Sequence, residues 1–161
     1  MTVIAYDGLY VAADRMISNN DGLQGMSRKI EVFEGQVLAT CGAADHGEAL
    51  MWWFKEGMHP EAFPHLSKVG GDKDAYLYVF KHNTPVACFQ TWPRPIIFPM
   101  VLFAAGCGND IARTAMHLGR DAREAAKIAC ELNVFCGNGV DYVDLSELSV
   151  TGNAAVRSYP S

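Results

Sequence analysis

The chain has 161 residues, half of them apolar and 19% charged, with a formal net charge of -5. That length suits one domain that buries roughly two thirds of its unfolded surface, and the composition excludes a disordered chain. No apolar run reaches the roughly 18 residues of a membrane-spanning helix, and the acidic balance argues against nucleic acid as a partner.

The N-terminal region reads as two hairpins. TVIAY and LYVAAD are short β runs joined at Asp7-Gly8, where a two-residue turn is expected. KIEVF and QVLATCG repeat the pattern around Glu34-Gly35, with glycine able to take the positive φ such turns demand. Four strands are thus expected within the first 42 residues, the first starting almost at the terminus. A helix over residues 46–55 follows, with Ala49, Leu50, Trp53 and Phe54 on one face and Gly57 and Pro60 ending it.

Residues 58–73 contain prolines and glycines and read as loop. Two runs at 76–80 and 86–92 form a hairpin around HNTP, while TWPRPIIFP is too proline-rich for a central strand. A strand at 100–105 leads into the small-residue turn GCGND. Two helices come next. Asn109 or Asp110 caps the first, whose expected buried face is Ile111, Ala115 and Leu118, and Gly119 stops it. Asp121 caps the second, Glu124 completes a capping-box-like pair, and Ala122, Ala125, Ala126 and Ala129 form a slim face suited to close packing. VDYVDL and AAVRSY supply the last β runs. Hairpins with helices in blocks indicate an α+β class, with two sheets stacked between helix layers, in a single domain spanning 1–161.

The start MTVIAYDG lacks the basic and apolar segments of a signal peptide. Five cysteines without a CxxC pair read as buried thiols in a reducing compartment, so a cytoplasmic location is expected. The five histidines show no metal-ligand spacing, and no metal or cofactor is expected from them. His46 reads as a polar residue at a helix start, and His117 with Arg120 as a solvated helix end.

Thr2, the strand end Val11 to Arg15, the Arg28-Lys29 pair before an apolar strand, and Cys41-Gly42 stand in one order. They are followed by AAGCGNDIARTAMHLGRDAREAAKIACEL, a glycine turn and two helices. This order resembles the proteasome β-subunits and the HslV peptidase of the N-terminal nucleophile hydrolases, over nearly the whole chain. The resemblance implies a four-layer αββα sandwich and a threonine-type endopeptidase acting on peptides or unfolded proteins. It implies a homo-oligomeric ring with Trp52 and Trp53 as contact candidates, and leaves open an ATP-dependent unfoldase partner and a monovalent cation on backbone carbonyls at 130–136.

The resemblance also assigns roles. Thr2 is the nucleophile once Met1 is removed, and its own α-amine, with a pKa of about 7.7–8.0, is the base. Lys29 matches the active-site lysine and Asp14 its carboxylate partner, while Gly42 matches the glycine whose N–H stabilises the oxyanion. Cys107 and Gly108 lie in the family's Gly-Ser-Gly turn. Cysteine here in place of serine is a weaker hydrogen-bond partner for the amine. It also leaves open a reactive thiol at this position. A further departure lies in residues 58–73, where HslV carries a second long helix. A catalytically silent scaffold, or an amidase for small molecules, are the rival readings.

Overall fold

The computed structural model of the chain describes residues 2–19, 22–65 and 74–160. The first part runs β1 (Val3–Tyr6), β2 (Tyr10–Asp14), β3 (Met16–Asn19), β4 (Gly22–Met26), β5 (Ile30–Phe33), β6 (Gln36–Gly42) and helix α1 (Ala44–Lys55). A single 3-10 turn at Pro60–Ala62 precedes β7 (Ala75–Phe80), β8 (Val86–Phe89), β9 (Ile96–Phe98) and β10 (Phe103–Gly106). Helices α2 (Asn109–His117) and α3 (Ala122–Leu132), strand β11 (Val140–Asp144), helix α4 (Leu145–Thr151) and strand β12 (Arg157–Tyr159) complete the chain.

The strands form two five-stranded antiparallel sheets, ordered β10-β1-β2-β11-β12 and β5-β6-β7-β8-β9, with β3 and β4 as a separate hairpin. The period-two alternation of strand side chains explains why two sheets stack with helices outside them. Ile4, Tyr6, Val11 and Ala13 turn inward and meet Val37, Ala39, Tyr78 and Phe80 of the second sheet. Val3, Ala5 and Ala12 turn outward to Ala112, Ala115, Met116 and the alanines of α3. Leu38, Leu77 and Val79 face Leu50, Trp53 and Phe54 of α1. The result is a four-layer αββα sandwich, in agreement with the architecture expected above.

Local chemistry accounts for most element ends. Asp121 Oδ1 accepts from the N–H groups of Arg123 at 2.9 Å and Glu124 at 3.0 Å, which caps α3. Ala122, Ala125, Ala126 and Ala129 are the buried face of that helix, and their small volume lets it lie against β1 and β2. Glu34 (φ 47°) and Gly35 (φ 74°) both take positive φ, as a two-residue turn between paired Phe33 and Gln36 requires.

Several expectations are corrected. Residues 7–9 connect β1 to β2, one residue more than the expected turn, and across it Tyr6 pairs with Val11. Asp7 sets this wider loop, its carboxylate accepting from Leu9 N at 2.9 Å and Tyr10 N at 2.7 Å. The β3–β4 hairpin and α4 were not expected, since neither segment carries a strong apolar period. Strand β10 begins at Phe103, three residues later than expected, and β9 is indeed an edge strand. Helix α2 buries Ala112, Ala115 and Met116 and leaves Leu118 74% exposed, so its inward face is rotated from the expected one. Gly108, without a side-chain bond, stands at its N-cap instead of Asn109 or Asp110. Trp53 is inside, stacked edge-on against Phe63 and Phe89, so only Trp52 of the expected pair is exposed. Part of the segment in which HslV has its second helix, residues 66–73, lies outside the described residues; 60–62 form only the 3-10 turn. Among the described residues no helix is long and apolar enough to cross a membrane.

Candidate active site

Thr2 directly precedes β1, an interior strand of the first sheet, so its position is set by both neighbours. On one side Val3 pairs with Gly106, the last residue of β10; on the other Ile4 pairs with Ala13, one residue before the end of β2. Three strand ends thus bring Thr2, Asp14 and the turn at 106–108 to one edge. Lys29 reaches this edge from the second sheet, held just before β5, where its carbonyl accepts from Thr40 N. Thr2 and Asp14 are almost fully buried, at 3% and 1% exposure.

Asp14 is the hub. Its Oδ1 accepts from Lys29 Nζ at 2.7 Å, Val3 N at 2.9 Å and Thr2 Oγ1 at 3.3 Å. Its Oδ2 accepts from Gly137 N at 3.2 Å and Met16 N at 3.3 Å. A carboxylate taken out of water is tolerated only when its lone pairs are filled and its charge is opposed, and both conditions are met here. The Lys29 ammonium, with its side chain 11% exposed, therefore shares with Thr2 Oγ1 a single carboxylate oxygen.

The glycine turn holds the Thr2 backbone. Gly108 N and Cys107 Sγ both donate to the Thr2 carbonyl, each at 3.3 Å. Gly106 has φ 88°, and a Cβ added there would stand 2.1 Å from the Thr2 carbonyl oxygen. A side chain at this position excludes the close approach of β10 to Thr2. Gly106→Ala is expected to destabilise the fold by about 3 kcal/mol through strain and overpacking, read as a lower denaturant midpoint at unchanged slope. An unchanged midpoint would show that the turn does not clasp Thr2.

Gly42 ends β6 with φ 114°, opposite Ala75, and an added Cβ would meet the Asp74 carbonyl at 2.4 Å. Its neighbour Cys41 lies within electrostatic reach of Lys29, Asp14 and Cys107, while burial pushes its thiol up to about 11. His46 lies in the first turn of α1, where a polar helix-start residue was expected. It is buried, with Nε2 donating to Pro64 O at 2.9 Å and Nδ1 accepting from Ala75 N at 2.9 Å. It therefore fixes the strand start that faces Gly42.

Cys107 departs from the expectation of uniformly buried thiols, since it is exposed. Cys136, from the loop after α3, places its sulfur 3.5 Å away. A hydrogen bond from Cys136 holds the Cys107 thiol down at about 6. The same bond, together with burial, raises Cys136. Asn133 Nδ2 donates to Cys107 O at 2.9 Å and Asn109 Nδ2 to Gly106 O at 2.7 Å, lacing the turn to both helices. Behind the site, buried Asp141 pairs with Arg15 and, at 3.8 Å, with Arg28, so the Arg28-Lys29 pair divides between two carboxylates.

Sequence reasoning named Gly106 only as part of the glycine turn, Asn133 and Cys136 only within the 130–136 carbonyl segment, and Asp141 not at all. The first adjoins Cys107 and its glycine was a usable signal; the others lie 26 or more residues away, with none. Among the described residues no three or more His, Cys, Asp or Glu side chains gather as metal ligands.

The fold matches that of eukaryotic HslV from Trypanosoma brucei, with TM-score 0.63 and 19% identity, over 88% of this chain and 97% of that one. The chain has the proteasome-like N-terminal nucleophile hydrolase fold. A mutant of Anbu from Hyphomicrobium sp. strain MC1 is similar too, with TM-score 0.62 and 16% identity, over 100% of this chain and 89% of that one. No protein-family model and no curated protein sequence matches the chain. At these identities the proteasome-like likeness concerns the backbone, and the chemistry rests on the side chains described above.

Proposed function

We propose that the chain is a threonine-type endopeptidase of the proteasome and HslV kind, cleaving peptides or unfolded proteins with Thr2 after Met1 is removed. The observation that carries this reading is the convergence of Thr2, Asp14 and Lys29, with Asp14 Oδ1 accepting from both other side chains. A purely structural strand end has no need of a lysine and a threonine hydroxyl on one buried carboxylate oxygen.

The chemistry follows from the groups present. Thr2 Oγ1 gives its proton to the free α-amine and attacks the peptide carbonyl carbon. Lys29 opposes negative charge on that oxygen and disfavours a second positive charge on the amine, which keeps the amine basic. The carbonyl oxygen becomes an oxyanion, for which the N–H of Gly42 is the donor; such a donor is worth about 2.7–4 kcal/mol. The C–N bond breaks as the amine returns its proton to the leaving nitrogen, and water then hydrolyses the ester. Cys107 and Gly108 hold the Thr2 carbonyl during these steps. No cofactor enters the scheme. A peptidase site of this kind calls for sequestration, so the active form is a cytoplasmic homo-oligomeric ring with Trp52, 68% exposed, as a contact residue. An ATP-dependent unfoldase would extend its substrates to folded proteins.

A β-lactone that acylates N-terminal threonine tests the mechanism, read by intact mass and peptide mapping beside peptide hydrolysis. The expected result is a chain lacking Met1, acylated on Thr2 in proportion to lost activity. Acylation of Cys107 with Thr2 untouched overturns the mechanism. A chain that retains Met1 and hydrolyses nothing supports the silent scaffold instead.

A further inference from the structure

We infer that Cys107 and Cys136 form a dithiol modification site, which a peroxide converts reversibly into a disulfide within one chain. The inference is independent of whether Thr2 is a nucleophile, since it rests on the two thiols alone.

The geometry supplies what such a site needs. The sulfurs stand 3.5 Å apart, and a disulfide closes that separation to about 2.05 Å, a movement the two side chains can share. Cys107 is exposed and Cys136 buried, so one thiol meets the oxidant and the other waits behind it. The loops that carry them are already fixed to each other. Asn133 donates to Cys107 O at 2.9 Å, and a Cβ on Gly108 would stand 3.0 Å from Cys136 Sγ. Little chain entropy remains to be lost when the bond forms.

The thiols also differ in reactivity. As a thiol, Cys107 donates to the Thr2 carbonyl; as a thiolate it accepts from Cys136. The second arrangement holds Cys107 at about 6, so it is mostly thiolate near neutral pH. Burial pushes Cys41 up to about 11 and Cys88 and Cys130 up to about 12, which makes them internal controls.

The reaction balances with a peroxide as the only co-reactant. The Cys107 thiolate attacks one peroxide oxygen, the O–O bond breaks, and Cys107 becomes a sulfenic acid while the other oxygen leaves as water or an alcohol. Cys136 sulfur then attacks Cys107 sulfur, the S–O bond breaks, and hydroxide leaves with the Cys136 proton as water. The dithiol loses two electrons and the peroxide gains them. A dithiol reductant reverses the oxidation, so the site functions in a compartment that is normally reducing. The disulfide removes the thiol proton from the Thr2 carbonyl and leaves Gly108 N–H bonded to it.

The test treats the full chain with hydrogen peroxide, alkylates the remaining thiols and maps peptides without reduction. The expected result is a linked pair of peptides carrying Cys107 and Cys136 from one chain, lost after dithiothreitol, with Cys41, Cys88 and Cys130 alkylated. Cys136→Ser should carry Cys107 past the sulfenic acid to the sulfinic acid at the same dose. Alkylation of Cys107 by iodoacetamide should rise to half its plateau near pH 6, as the thiolate forms. Unreacted Cys107, sulfinic acid at Cys107 beside a free Cys136 thiol in the unmutated chain, or a bond between two chains would each overturn the inference.

Discussion

Thr2→Ala is expected to abolish peptide hydrolysis, by about 10⁴-fold or more, while thermal unfolding and assembly stay close to those of the parent. The hydroxyl makes a single long bond, 3.3 Å to Asp14 Oδ1, and that acceptor keeps Lys29 and Val3 N when the hydroxyl is removed. Its loss therefore takes away a covalent step and little packing. Thr2→Ser should retain part of the activity, because serine also offers an amine and a hydroxyl on one residue. Turnover of a fluorogenic peptide by the purified variants is the measurement. An alanine variant as active as the parent would eliminate Thr2 as nucleophile.

Lys29→Met is expected to remove activity as completely as Thr2→Ala and, unlike it, to weaken the fold by about 3–5 kcal/mol. The reason is electrostatic. Asp14 is 1% exposed, and its closest partner is the Lys29 ammonium at 2.7 Å. Removing that partner leaves a buried carboxylate with neutral donors only. Replacing Asp14 by Asn in the same chain removes the orphaned charge and should recover part of the stability without recovering activity. Denaturant unfolding of the two single variants and the double variant closes the cycle. Additive losses would mean that Lys29 and Asp14 do not act as a pair.

The layered fold was legible because its signals are local. The two-residue turn at Glu34-Gly35, the Asp121 cap and the alanine face of α3 each depend on residues a few positions apart. Other segments were lost: β3 (MISN) and β4 (GLQGM) show no sustained alternation, and α4, although capped by Asp144 and ended by Gly152, is a short helix that follows β11 without a break. Helix α2 shows a limit of periodicity itself. Ile111, Ala115 and Leu118 satisfy helical spacing, yet it is Ala112 and Met116 that join Ala115 against the sheet. Two overlapping apolar stripes exist on that helix, and only its neighbour α3 selects between them.

For the candidate site, the sequence alone determined the order of Thr2, Asp14, Lys29, Gly42 and Cys107 along the strands, and the strand ends on which they fall. Tertiary structure alone decided who meets whom. It turned Lys29 to Asp14 while Arg28 joined Arg15 at Asp141, set Cys136 against Cys107, and buried His46 between Pro64 and Ala75. Turns and caps are short-range and appear in the residues themselves. These pairings span 15 to 126 positions, and they exist only because two sheets and two helix layers close over one core.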